Sequence, residues 1–167
     1  YGQSAFGLAK SLGISKAEAA EFIDTYFAQY PGIEKFMLET LALAHQERSV
    51  GTILGRRRPV SDVRNPDTLK DKRQRNLSER IAINTVIQGS AADIIKIAMI
   101  EVLARLEEEN FEARLLLQIH DELVFEVPSA ELERLEKMVR EEMSGAADLS
   151  DPLKVDINDG ATWAECK

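Results

Sequence analysis

The sequence predicts an α+β chain: a helical first half, one long helix, then a small antiparallel β-β-α-β sheet backed by helices. Three observations predict it. Apolar residues recur at helical spacing through the first half, and a helical period then runs from about Leu77 to Asn110. Beyond that the period shortens to two strand-like runs, "ARLLLQIH" and "LVFEV", on either side of Asp121-Glu122.

Each element has its own signal. "SAFGLAKSLG" reads as a short helix with Ser4 as N-cap and Gly13 as its stop. "SKAEAAEFIDTYFAQYPG" opens with a capping box, Ser15 with Glu18, and predicts a buried face of Phe22, Ile23, Tyr26, Phe27 and Tyr30, ended by Pro31-Gly32. "IEKFMLETLALAHQE" repeats the period through Ile33, Phe36, Met37, Leu41 and Ala44, and leaves His45 as a surface residue. "VGTILGRRRPV" predicts a hairpin turning at Gly55. Residues 61 to 76 carry no hydrophobic period and read as loop, and a composition change near residue 76 divides the chain into 1–76 and 77–167. In the long helix, Gln88-Gly89-Ser90 predicts a kink or break, since glycine costs about 1 kcal/mol against alanine there. A helix with Leu132, Leu135, Met138, Val139 and Met143 on one face follows, and "PLKVDIN" reads as a last strand.

Composition narrows the function classes. The chain has 167 residues, 44% hydrophobic and 30% charged, as an ordinary globular protein does. No apolar run approaches the roughly 20 residues that span a bilayer. One cysteine, Cys166, excludes an internal disulfide and suits a reducing compartment. The first residue is Tyr1 rather than methionine, which reads as the middle of a longer or processed chain. A net charge of −8 argues against indiscriminate nucleic-acid binding, yet Arg56 to Arg80 holds nine basic and four acidic residues, a local +5 that leaves −13 elsewhere. Such a stretch is either a solvated loop or a polyanion contact.

Two constellations carry chemistry. His120, Asp121 and Glu122 sit together between apolar runs, and two adjacent carboxylates about 4 Å apart repel by roughly 1 kcal/mol in water and about 4 at an effective dielectric near 20. Open solvent at a turn offsets that, or a bound cation does. Neighbouring strand side chains point to opposite faces, so one carboxylate at a hairpin tip would ligate and the other support it; the short Asp121 is the better ligand. On the long helix, Arg80, Asn84 and Gln88 fall at i, i+4 and i+8, one polar row among Ile81, Ile83, Val86 and Ile87. A hydrated helix edge usually carries Glu and Lys, whereas these are donors with reach. Donors suit the duplex minor groove, which presents purine N3 and pyrimidine O2 acceptors at every base pair.

"YGQSAFGLAKSLGIS", "YFAQYPGI", "GTILGRRRPV", "ERIAINTVIQGSAADIIKIAMI" and "QIHDELVFEVP", in that order and spacing, closely resemble the bacterial family A DNA polymerases over essentially the whole chain, down to the terminal "WAECK". The resemblance implies the distal fingers (1–76) followed by the C-terminal half of the palm (77–167) of an enzyme of DNA replication and repair. It implies Asp121 as a palm metal ligand with Glu122 in support, and His120 near the primer terminus. Arg80, Asn84 and Gln88 would contact the primer–template minor groove, and Tyr1 would sit over the templating base and help position the incoming nucleotide. The implied reaction is attack of a primer 3′-OH on a deoxynucleoside triphosphate with two Mg²⁺ ions, in the bacterial cytoplasm at the nucleoid. Val86 departs from many relatives, which have proline there. The family's other palm aspartate and its triphosphate-binding fingers Lys and Arg have no counterpart in these residues, so the isolated chain is expected to be inactive. The remainder of the polymerase is thus an expected partner.

Two other readings stand beside it. An HD-type metal phosphohydrolase is suggested by His120-Asp121, but that chemistry needs further His and Asp ligands on helices, and only His45 remains. A non-catalytic module of polymerase-like shape would have little need of Asp121, Glu122, His120 and the donor row.

Overall fold

The computed structural model describes residues 3–69 and 75–166. Helices α1 (Ala5–Leu12), α2 (Lys16–Gln29) and α3 (Pro31–Glu47) lead into the hairpin β1 (Ser49–Gly51)–β2 (Arg57–Pro59) and a 3-10 turn, Pro66–Thr68. One long helix, α4 (Leu77–Glu108), is followed by β3 (Arg114–Ile119), β4 (Glu122–Glu126), α5 (Leu132–Gly145) and a 3-10 turn, Trp163–Glu165. Helices and two small two-stranded antiparallel sheets make the α+β chain that the sequence predicts. Two compact units share α4, residues 1–90 and 91–167. Their division lies inside α4, whereas the composition changes near residue 76.

In the first unit the caps form as their residues dictate. Ser4 accepts from the Gly7 N–H, and Gly13 closes α1 at φ 68°. Ser15 and Glu18 exchange both bonds of a capping box. Gly55 turns the β1–β2 hairpin at φ 81°, its N–H donating to Thr52 O at 2.9 Å. The core gathers Leu41 and Ala44 from α3, Val50 from β1, Val63 from the loop, and Ala82 and Ile83 from α4, with Met37, Val60 and Val86 against it.

Two expectations fail here, and so does part of a third. On α2 only Ala19 is buried; Ile23 and Phe27 are half-covered, while Phe22 is 60% exposed, Tyr30 47%, and Tyr26 also lies open. Tyr26 instead packs on Phe27 and Tyr30, with ring centroids 5.4 and 5.2 Å apart. A helical period shows which face is apolar, not how much of it is covered. His45 is no free surface residue: half-buried, its Nδ1 lies 2.8 Å from Val63 O and donates to it, tying α3 to the loop. Finally, of the kink or break expected at Gln88-Gly89-Ser90 there is no break, since α4 continues through it.

The second unit packs Val102 and Leu106 of α4 against Ala113 and against Leu135, Met138 and Val139 of α5. That is the α5 face its periodicity predicts. Arg105 binds Glu109, Glu141 and Glu142 beside this core. β3 and β4 pair from Arg114–Glu126 to Ile119–Glu122, with a bulge between Leu115 and Leu117. The bulge breaks the strand alternation and leaves Leu116 and Leu117 both exposed. The last strand of the expected β-β-α-β is absent: residues 153–158 alternate half-buried and exposed as a strand would, but form no ladder among the described residues. Alternation records a half-covered extended segment; a strand also needs a neighbour whose backbone groups are free.

Candidate nucleic-acid interface and acidic hairpin tip

The donor row begins where α4 begins. Asn76 and Glu79 form a reciprocal cap: Glu79 N–H donates to Asn76 Oδ1 and Asn76 N–H to Glu79 Oε2, both at 2.9 Å. Glu79 is 0% exposed and also receives Arg64 through Nε (2.7 Å), Nη2 (2.8 Å) and its backbone N–H (3.3 Å). Burial alone would raise this carboxyl. The Arg64 guanidinium and the Asn76 and Arg64 N–H groups outweigh it and hold Glu79 below the ordinary carboxylate range. Asn76 Nδ2 further donates to Asp62 O at 2.9 Å. The first turn of α4 is therefore fixed to the loop before it, and Arg80 is the next residue along.

Because α4 is unbroken, Arg80, Asn84 and Gln88 lie along one side, about 6 Å apart at each step and about 12 Å end to end. With base pairs about 3.4 Å apart, each step corresponds to roughly two of them. Arg80 and Gln88 are exposed and Asn84 is half-buried. Asn84 Oδ1 is buried without a hydrogen-bond partner among the described residues, a polar atom that a ligand's donor or a water would complete.

The basic hairpin stands beside this row. Arg56, Arg57 and Arg58 share with Asn84, Gln88 and Gly89 a cleft of about 490 Å³. Arg56 Nη2 donates to Gly89 O at 3.0 Å and Arg58 Nη1 to Thr85 Oγ1 at 3.1 Å. Arg57 is braced by Ser49 and by Glu47, the latter at 3.5 Å. The charge count singles out this stretch but not its position against α4, which depends on the hairpin folding back. The Asn76–Glu79 cap was readable as Asn-x-x-Glu; its buried bond to Arg64 joins residues too far apart in sequence to show a pattern.

His120 and Asp121 form the two-residue tip of the β3–β4 hairpin, beyond its last pair, Ile119 with Glu122. Glu122 is the first residue of β4, and all three of these polar side chains are exposed. His120 adopts φ 53°, a left-handed conformation unusual outside glycine and mildly favoured by His, Asn and Asp. Gln118 Nε2 donates to His120 O and braces the turn. Asp121 thus lies at the tip and Glu122 starts the strand. Two neighbouring oxygen donors suit a hard cation such as Mg²⁺. Among the described residues, however, no group of three or more His, Cys, Asp or Glu is placed to hold a metal ion. Tyr1 lies outside the described residues.

The model of DNA polymerase family A matches residues 1–165. The chain belongs to DNA polymerase family A. All 167 residues align at 50% identity with DNA polymerase I of Bacillus caldotenax and at 50% with that of Geobacillus stearothermophilus, in each case covering 19% of the relative. The Bacillus subtilis DNA polymerase I is 46% identical over the same residues, 18% of its length. Thus the chain spans about a fifth of the curated relatives it matches. The fold of this family segment is similar to a solved structure, the POL domain of Pol1 from M. smegmatis in complex with DNA primer-template and dNTP. The TM-score is 0.86 at 39% identity, over 98% of this chain and 28% of that one. Family membership removes the HD-type phosphohydrolase reading. Among the described residues, no helix is long and apolar enough to cross a membrane.

Proposed function

We propose that these residues are part of a template-directed DNA polymerase that adds deoxynucleotides to a primer 3′ end, with residues 1–76 in the distal fingers and 77–167 in the C-terminal half of the palm. The observation that carries this reading is the likeness, over 98% of the chain, to a polymerase domain bound to primer-template and dNTP. In this reading Arg80, Asn84 and Gln88 donate to minor-groove acceptors close to the insertion site. Every base pair offers those acceptors, so the row senses pair shape while ignoring sequence. His120 lies near the primer terminus and Tyr1 positions the incoming nucleotide.

Asp121 is a Mg²⁺ ligand in this proposal and Glu122 supports its site, the remaining ligands coming from substrate phosphates, water and residues outside the segment. When bound, such ions supply charge stabilisation and lower the pKa of the attacking hydroxyl. This chain contributes an exposed carboxylate on a braced two-residue turn. In this reading the complete protein acts on DNA in replication and repair, in a bacterial cytoplasm at the nucleoid.

Primer extension with Mg²⁺ and all four dNTPs tests the division of labour. The 167-residue chain alone is expected to give no template-dependent incorporation above background, and incorporation above background would overturn the assignment of half a site to this segment. A non-catalytic module predicts instead that the complete chain is also inactive.

A further inference from the structure

A glycine, Gly89, lies where α4 meets the β1–β2 hairpin. A Cβ built on Gly89 would stand 2.7 Å from Thr52 Cγ2 and 3.7 Å from Arg56 Nη2. Thr52 has no easy way to turn aside. It is buried and β-branched, its Oγ1 accepts from the Arg56 N–H at 3.1 Å, and its own N–H donates to Arg56 O at 2.9 Å. The contact is secured on both sides: Arg56 Nη2 donates to Gly89 O at 3.0 Å and the Ile53 N–H to Ser90 Oγ at 2.9 Å. Gln88 immediately precedes this clasp, and the arginine hairpin forms the opposite wall of its cleft.

We propose that Gly89 and Thr52 are positioning residues. The missing side chain at 89 lets the hairpin close onto α4, so that Gln88 and Arg56–Arg58 face one cleft and act together on DNA. The inference rests on the reading of the donor row as DNA-facing. Helix propensity ranks alanine above glycine, so a loss on Gly89→Ala would come from the clasp and not from a weakened helix. Thr52→Ser deletes the obstructing methyl and keeps the hydroxyl that Arg56 needs.

The test uses the complete polymerase carrying this segment, assayed for primer–template affinity well below every variant's melting temperature. Amide exchange of residues 49–60 is followed in parallel. Gln88→Ala is expected to weaken binding about tenfold in the wild-type background, in the range of one lost base-edge contact. Gly89→Ala is expected to weaken it comparably and to expose the Ile53 amide, after which Gln88→Ala adds less than about twofold because the two act as one unit. Thr52→Ser combined with Gly89→Ala should restore amide protection, affinity, and the full effect of Gln88→Ala. Wild-type affinity in Gly89→Ala, multiplying effects of Gln88→Ala and Gly89→Ala, or no rescue by Thr52→Ser would each overturn the proposal. Should Gly89→Ala fail to fold, the double variant decides: folding and wild-type binding support the clasp, and failure to recover overturns it. If Gln88→Ala is silent in the wild-type background, the DNA-facing reading itself falls. That outcome is distinguishable, because amide exchange still reports whether the clasp forms.

Discussion

Asn84 and Gln88 carry side-chain amides on the same helix face, and their neutrality matters. A lysine there would bind phosphate without regard to pairing, whereas an amide rewards a correctly placed acceptor at hydrogen-bond distance. Replacing either by alanine in the complete polymerase should weaken primer–template binding or slow insertion about tenfold, equally across template sequences. The measurement is affinity and single-nucleotide insertion on templates of different composition. Wild-type behaviour in both would remove the residue from the interface, and a loss confined to one sequence would contradict shape sensing. This row was legible because a regular helix turns a spacing of four into a shared face. The left-handed His120 was not, since backbone conformation at a two-residue tip depends on how the flanking strands register.

At the scale of elements, the start of α4 depends on Glu79. Its folded-state carboxyl is held below the ordinary range, so its contribution is complete above the unfolded value of about 4.3 and is lost as pH falls through the lower folded value. Urea unfolding of the chain should therefore show stability falling below about pH 4, with a shallower acid limb in Glu79→Gln. At neutral pH, Glu79→Ala should cost about 1–3 kcal/mol, because the Asn76 and Arg64 N–H groups lose the buried carboxylate that accepts from them. An unchanged acid limb would assign the pH dependence to other carboxylates. Caps such as Ser4 and the Ser15–Glu18 box were readable because they close within four residues. Of the kink or break expected at Gly89 there is no break: α4 continues through it, and the methyl of Thr52, far away in sequence, stands where a Cβ would lie. The strand expected at 153–158 lacks a partner in the sheet for a related reason, as pairing is a property of two segments.

Across the whole molecule, an acidic chain of net −8 presents its arginine cluster beside the donor row within the first unit and its exposed carboxylates at a hairpin tip in the second. The order of the motifs made the family legible; the geometry adds the clasped hairpin and the anchored helix start. Among the described residues, no group of three or more His, Cys, Asp or Glu is placed to hold a metal ion. In the proposed function Asp121 ligates the catalytic ion of a polymerase to which these residues contribute. This role is tested most directly by Asp121→Asn in the complete polymerase, assayed for Mg²⁺-dependent primer extension alongside primer–template affinity. Extension should fall on the order of a thousandfold or more while affinity stays within about threefold of wild type. Extension at the wild-type rate would contradict the account.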